Sequence, residues 1–228
     1  MVSQNEIIPV RIKFSKTGDL MYISHLDLQK TMQRIITRAG IDIWYSEGFN
    51  PQPKIVFAVP LPVGVESNCE LFDIKINSYM SNEEIKERLE KSFPTQMKVI
   101  SVYNPEQKFK NIGYIDYTIS LNSPKISEST AEEILKLFAS ECVITKKTKS
   151  GEKQVDISPF VKQLEVSNTE NGVELHTILS ADSENYLNPE LFVEAIRQNL
   201  NIIDKDSIME SYSIMRNKML DFDLKEFE

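Results

Sequence analysis

The sequence is short of the residues on which most catalytic and disulfide-bonded proteins rest. It has two cysteines, Cys69 and Cys142, far apart and in no CxxC pair. Two thiols alone cannot hold a four-cysteine iron–sulfur cluster, and a disulfide is not expected in a cytosolic chain. It has two histidines, His25 and His176, with no metal-ligand spacing between them. A Walker loop, a dinucleotide fingerprint, an HExxH helix motif and a nucleophile elbow are all missing. No metal and no cofactor is therefore expected. No run of about 18 apolar residues occurs, which excludes a membrane-spanning helix, and the first residues lack the apolar core of a secretory signal. The expected location is the cytoplasm, with no membrane among the partners. A basic excess is also missing, with 26 Lys/Arg against 34 Asp/Glu. The net charge of −8 argues against a nucleic-acid binder that is basic throughout.

What is present bounds the fold. A chain of 228 residues makes one large domain or two of ordinary size, and a 41% hydrophobic content supports a real core. Charge is unevenly spread. Residues 1–64 carry seven Lys/Arg against five Asp/Glu, leaving 19 against 29 in the remainder, so a polyanion site belongs to the first third and must be local. That third also holds the stretch 21–64, with His25, the single tryptophan Trp44, a basic helix face and an unusual turn.

The stretch opens as a helix. Ser24 is an N-cap candidate and Asp27, three residues on, completes a capping-box pattern beside the positive helix end. Leu28, Met32, Ile35, Ile36 and Ala39 fall on one helical face, and Gly40 is the expected residue just past the end. Lys30, Arg34 and Arg38, each four apart, make a line on the other face. This line is either a solvated surface or a ridge that meets phosphates. His25 is the first helical residue, where the helix's positive end lowers an imidazole's pKa. It is a candidate general base or anion-site donor, set against a plain local hydrogen-bond partner. In the turn 46–53, Gly48 permits positive φ, and Asn50-Pro51 and Gln52-Pro53 force extended backbone. Tyr45, Phe49 and Phe57 offer flat faces and Lys54 a charge. A stiff, aromatic, partly basic loop suits base stacking and equally suits packing over a sheet end.

Along the chain, 7–16 reads as a strand with Val10, Ile12 and Phe14 inward, which puts Arg11 and Lys13 on the opposite face. Residues 20–23 read as a short strand, 41–45 as extended, and 55–59 as a strand ended by Pro60 and Pro62. A strand follows at 71–76, then a helix opened by the Ser81–Glu84 capping box, then a closing strand at 97–103. A similar order follows the candidate linker 105–113. It has a strand at 114–121 with Ile115, Tyr117, Ile119 and Leu121 inward, and a helix at 129–140. Strands then flank a lysine-rich turn at 146–151, and an Asn171-Gly172 hairpin joins 164–166 to 173–180. A helix begins at Asn188-Pro189, and a last strand covers 208–215. The expectation is an α+β chain of two tandem ferredoxin-like (split β-α-β) α/β sandwiches with antiparallel sheets, residues 1–104 and 114–228. Lys146, Lys147, Lys149 and Lys153 gather at a hairpin tip, a solvated turn or a phosphate-tracking finger. His176 falls on the outward side of its strand and reads as structural.

The blocks SHLDL (24–28) and YSEGFNPQPK (45–54) resemble the motifs of a bacterial radical-SAM-associated family of unknown function. Its members occur as separate chains or as C-terminal extensions of radical SAM proteins with cobalamin-type domains. The specific motifs end near Asp73. The family's loop has histidine between its two prolines where this chain has Gln52, which places more weight on His25. The resemblance implies a radical SAM partner and a setting of ribosome, tRNA or rRNA processing and modification. It supplies no catalytic residues, and whether the chain is an enzyme stays open. Three functions follow. In the first, the chain is an RNA-binding accessory module, with Lys13, Lys30, Arg34, Arg38 and Lys54 on phosphates and Tyr45 and Phe49 under bases, in a loop shaped by Gly48, Asn50, Pro51 and Pro53. In the second, it is a metal-independent endoribonuclease, by analogy with the tandem ferredoxin-like CRISPR repeat-cleaving enzymes, with His25 taking the 2′-OH proton. In the third, it is a protein-binding scaffold for the radical SAM enzyme without RNA contact. The RNA readings gain if Lys13, Arg34, Arg38, Lys54 and His25 converge on one concave surface; if they scatter, the scaffold reading gains.

Overall fold

The computed structural model describes residues 7–148, 151–204 and 207–228. The chain divides into two compact units, one running to Phe109 and taking in Glu228, the other Lys110–Phe227. In the first unit the order is β1 (Ile8–Lys16), α1 (His25–Arg38), β2 (Val56–Phe57), β3 (Val65–Ile76), α2 (Asn82–Glu90) and β4 (Met97–Tyr103). The strands pair antiparallel in the order β4-β1-β3-β2. Alternation drives this sheet. Val10, Ile12 and Phe14 of β1 and Phe72, Ile74 and Ile76 of β3 are buried with Leu28, Met32, Ile35 and Ile36 of α1 and Ile85 and Leu89 of α2 in one cluster. Each such side chain removed from water contributes about 1.5–3 kcal/mol before entropy is set against it.

Both helices start on capped ends. The Ser24 hydroxyl accepts from the Asp27 N–H at 3.1 Å and donates to its carboxylate at 2.7 Å, and Ser81 accepts from the Glu84 N–H at 3.2 Å. α1 stops at Gly40, whose φ of 65° lets the Ile41 N–H reach the Ile36 carbonyl and the Gly40 N–H reach that of Thr37. The expected strand at 20–23 is instead part of a 3-10 turn, Gly18–Tyr22. Gly18 turns the chain at φ 61°, its N–H is held by Glu66, and the buried Lys16 ammonium binds the Leu20 carbonyl at 2.8 Å. The strand expected at 55–59 shrinks to the two residues of β2, and β3 starts at Val65, six residues before the expected 71.

The second unit holds β5 (Ile112–Asn122), α3 (Thr130–Phe138), β6 (Val143–Thr148), β7 (Gly151–Asp156), β8 (Val161–Thr169), β9 (Gly172–Ser180), α4 (Pro189–Leu200) and β10 (Ser211–Asp221). Within it the antiparallel order is β10-β5-β9-β8, with β6-β7 as a separate hairpin. Phe138 of α3 stacks on Phe192 of α4 at 4.3 Å. The segment 105–113 is not a free linker: Phe109–Asn111 is a 3-10 turn and β5 already begins at Ile112. The last strand starts later than 208, and Ile208 and Met209 before it are exposed. The β8–β9 turn residues are Glu170 and Asn171, because Thr169 pairs with Gly172; neither takes positive φ. Gly172 serves a close approach instead: a Cβ there would lie 2.0 Å from the Leu121 carbonyl oxygen.

Candidate nucleic-acid interface

After Gly40 the chain turns back along β3. Ile43 bridges to Ile76, and the Trp44 N–H donates to the Lys75 carbonyl at 2.7 Å. Tyr45 then bridges to Pro53, which closes the loop between them. The Ser46 N–H donates to the Gln52 carbonyl at 2.9 Å, and the Gln52 N–H donates to the Ser46 hydroxyl at 3.0 Å. The Gln52 side-chain amide donates to Asn50 at 3.1 Å, so the residue standing where the resembled family has histidine fastens the loop to itself. Gly48 takes φ 127° at the tip, and Phe49 beside it is fully exposed. Asn50 and Pro51 are exposed as well.

This closed loop lies against the C-terminal half of α1. Arg34 and Arg38 share an open depression of about 450 Å³ with Gln33, Thr37, Tyr45 and Pro53. Both arginines and Lys30 are exposed, and none of the three makes an ion pair or hydrogen bond among the described residues. Tyr45 is 45% exposed. The structure thus brings together four residues singled out in the sequence, Arg34, Arg38, Tyr45 and Pro53, with Lys30 one turn further along the same helix line. Gln33 and Thr37 were missed. They sit one position before each arginine, so the i, i+4 rule that marks the ridge also marks them.

Other expected members lie elsewhere. Lys13 pairs with Leu71 and Ser101 on β1 and alternates with Ile12 and Phe14, which places it on the sheet face away from α1. Lys54 leaves the Tyr45–Pro53 bridge on its opposite side, where its ammonium stands 5.9 Å from the Trp44 ring; Lys75 stands 5.7 Å from the same ring. His25 is nine residues before Arg34, about 13 Å along the axis at 1.5 Å per residue. Its ring meets Phe57, edge-on at 5.3 Å, and Gln29, bonded to Nε2 at 3.0 Å, while Nδ1 is buried without a partner. Burial pushes its pKa below the ordinary imidazole value, opposed by the Glu70 carboxylate. The ring is packed and away from the basic depression. The five groups do not converge on one surface, an arrangement that weighs toward the scaffold reading; of them, Arg34 and Arg38 lie together with Tyr45 at the α1 edge, while Lys54 stands by Trp44 with Lys75.

In the second unit, exposed Lys146 faces exposed Lys153 across the β6–β7 hairpin. Lys149, and the side chain of Lys147, lie outside the described residues. His176 is exposed and bonded to Thr118 and Glu174. Both cysteines are buried and outside any disulfide, and burial with the nearby Asp156 carboxylate pushes the Cys142 thiol up to about 11. Among the described residues no cluster of His, Cys, Asp and Glu could hold a metal ion, and no helix is long and apolar enough to cross a membrane.

The profile of the family described as "Uncharacterized protein conserved in bacteria (DUF2344)" matches residues 10–189. No curated protein matches the chain. Among solved structures, a chain of a Cbf5-Nop10-Gar1 complex is similar with a TM-score of 0.46 at 10% identity, over 92% of this chain and 48% of that one. The present chain thus spans about half the length of that relative. An unknown protein from Galdieria sulphuraria aligns over 92% of this chain and 99% of its own, with a TM-score of 0.26 at 7% identity.

Proposed function

The chain belongs to the bacterial family DUF2344, and within it we propose an RNA-binding accessory module that works beside a radical SAM enzyme in tRNA or rRNA processing or modification. The observation that carries the RNA reading is the depression where Arg34 and Arg38, unpaired, border half-exposed Tyr45. Two guanidiniums on neighbouring turns can follow a phosphate backbone, and exposed Tyr45 and Phe49 offer stacking faces that accept any base. The loop is closed by its own hydrogen bonds, so little conformational freedom is lost on binding. His25 receives no catalytic part in this reading, because it is packed on Phe57 and Gln29 rather than beside the arginines. The radical SAM association rests on the motifs SHLDL and YSEGFNPQPK. The same proposal treats the two units as tandem ferredoxin-like sandwiches; its support is the shared strand order, β4-β1-β3-β2 and β10-β5-β9-β8.

The test is ultraviolet crosslinking in native cells, followed by trypsin digestion and mapping of nucleotide-bearing peptides. Cleavage after Arg38 and Lys54 releases residues 39–54, which contain Tyr45 and Phe49. The expected result is nucleotide adducts on that peptide. Adducts confined to the second unit, or none on a chain recovered in quantity, would overturn the reading.

A further inference from the structure

A second groove of about 470 Å³ lies on the other side of the Tyr45–Pro53 bridge, entirely within the first unit. Its lining includes the apolar side chains of Val56, Pro105 and Phe109. Lys54, Lys75 and Lys108 stand around it, all exposed, and none of their ammonium groups makes an ion pair or hydrogen bond among the described residues. Two carboxylates also line it, but they are not equivalent. Asp73 is already engaged by Arg11, Nε to Oδ1 at 2.7 Å and Nη2 to Oδ2 at 2.9 Å. Glu106 is the remaining one, set against three ammonium groups. A local surplus of positive charge around apolar walls, in a chain of net charge −8, has a matching ligand only among anions.

The wall is held in place. The Arg11 guanidinium, with no side-chain exposure, binds the Gln107 carbonyl at 2.8 Å and lies 4.2 Å from the Phe109 ring centre. One buried cation thus ties β3, through Asp73, to the segment 105–109. The volume falls within the range of sites for small organic ligands, roughly 300–1,000 Å³, which are mostly apolar with a few convergent polar groups.

We infer that this groove binds a small organic anion, a flat apolar body carrying one phosphate or carboxylate group. The body lies between Val56 and Phe109, and the acid pairs with the amines of Lys54, Lys75 and Lys108. The site does not depend on the RNA reading, because Lys54 and Tyr45 leave the bridge on opposite sides and line separate depressions.

The test is isothermal titration calorimetry on the full chain with naphthyl phosphate, naphthoate and the neutral naphthylmethanol. The expected result is saturable one-site binding of at least one acid, with the neutral alcohol about tenfold weaker or worse. Preference between the two acids identifies the acidic group of the natural ligand. Lys108→Ala should weaken binding about 1.5- to fivefold, as loss of one exposed charge implies. Val56→Glu, at a partly exposed position, should abolish it by placing a carboxylate in the groove. Lys75→Ala, expected to act like Lys108→Ala, replaces Val56→Glu if that variant melts early. Arg34→Ala/Arg38→Ala should leave the affinity within about twofold, which separates this site from the ridge. Silence with both acids at millimolar concentration, equal binding of the neutral alcohol, or unchanged affinity in folded Lys108→Ala and Lys75→Ala would overturn the inference.

Discussion

Replacing Arg34 and Arg38 together by alanine is the most informative perturbation of the α1 edge. Three exposed, unpaired cations define that edge, Lys30, Arg34 and Arg38. Each single-strand phosphate neutralised contributes about −0.7 to the slope of log K against log salt, so the native ridge should give a slope near −2. The double variant retains only Lys30 and should fall to about −0.7. An exposed ion pair is worth roughly 0.2–1 kcal/mol, so the loss of two predicts about a two- to thirtyfold weaker affinity near physiological salt. Tyr45→Ala separates stacking from charge. It should weaken binding by about 1–3 kcal/mol and leave the slope unchanged. The assay is fluorescence anisotropy with a labelled single-stranded RNA at several salt concentrations, with thermal melts to confirm folding. Lys13→Ala is the control, since Lys13 lies on the sheet face away from α1. A slope that stays near −2 in the folded double variant, or that flattens in Lys13→Ala, would refute the assignment of the ridge.

Three further outcomes follow from the geometry. Gly172→Ala places a methyl 2.0 Å from the backbone oxygen of Leu121, and because backbone cannot rotate aside, urea unfolding should show a loss of about 1–3 kcal/mol; a change under about 0.5 kcal/mol would mean the strand shifts freely. His25 has its pKa lowered by burial from 6.5, so the unfolded chain takes up the proton first on acidification. Its stabilising contribution is complete above that ordinary value and is lost as pH falls through the folded one. Native protein should therefore lose Tm faster than His25→Gln as pH falls below about 6.5, and parallel curves would exclude this linkage. Trp44 is the single tryptophan and has Lys54 and Lys75 within 5.9 Å and 5.7 Å of its ring, so iodide should quench it more than neutral acrylamide does. In Lys54→Gln/Lys75→Gln the iodide advantage should drop by about half or more, and an unchanged ratio would place the ammonium groups elsewhere.

What the sequence made legible was what local chemistry decides. The start of α1 is written in Ser24 and Asp27, its buried face in the spacing of Leu28, Met32, Ile35 and Ile36, and its end in Gly40. Each of these acts within one turn of helix, so no knowledge of the rest of the chain was needed. β4 is as plain at 97–103, where alternation buries Met97 and Val99. What depended on distant partners was misread. The 20–23 segment has apolar residues suited to a strand, yet Lys16 and Glu66 hold the chain in a 3-10 turn. Asn171-Gly172 has the composition of a tight turn, but the register of β9 against β5 pulls Gly172 into the strand. The landing place of loop 46–52 was equally hidden, because it follows from a bridge between Tyr45 and Pro53, and from the pinning of Trp44 on Lys75.

That bridge also explains why the expected single site became two. Side chains of adjacent residues in extended backbone point to opposite faces. Trp44 and Tyr45 are adjacent, and so are Pro53 and Lys54, so an antiparallel pair between Tyr45 and Pro53 must send one member of each doublet to each side. Tyr45 and Pro53 go to the α1 edge with Arg34 and Arg38, while Trp44 and Lys54 go to the side of Lys75. The cations counted together in the sequence are thereby divided between a ridge suited to a polymer backbone and a walled groove suited to a small anion. Moving Lys54 to the α1 edge would need a one-residue slip of this pairing, which would break the Ser46–Gln52 and Lys54–Trp44 backbone bonds together. The separation is therefore as firmly set as the closure of the loop itself.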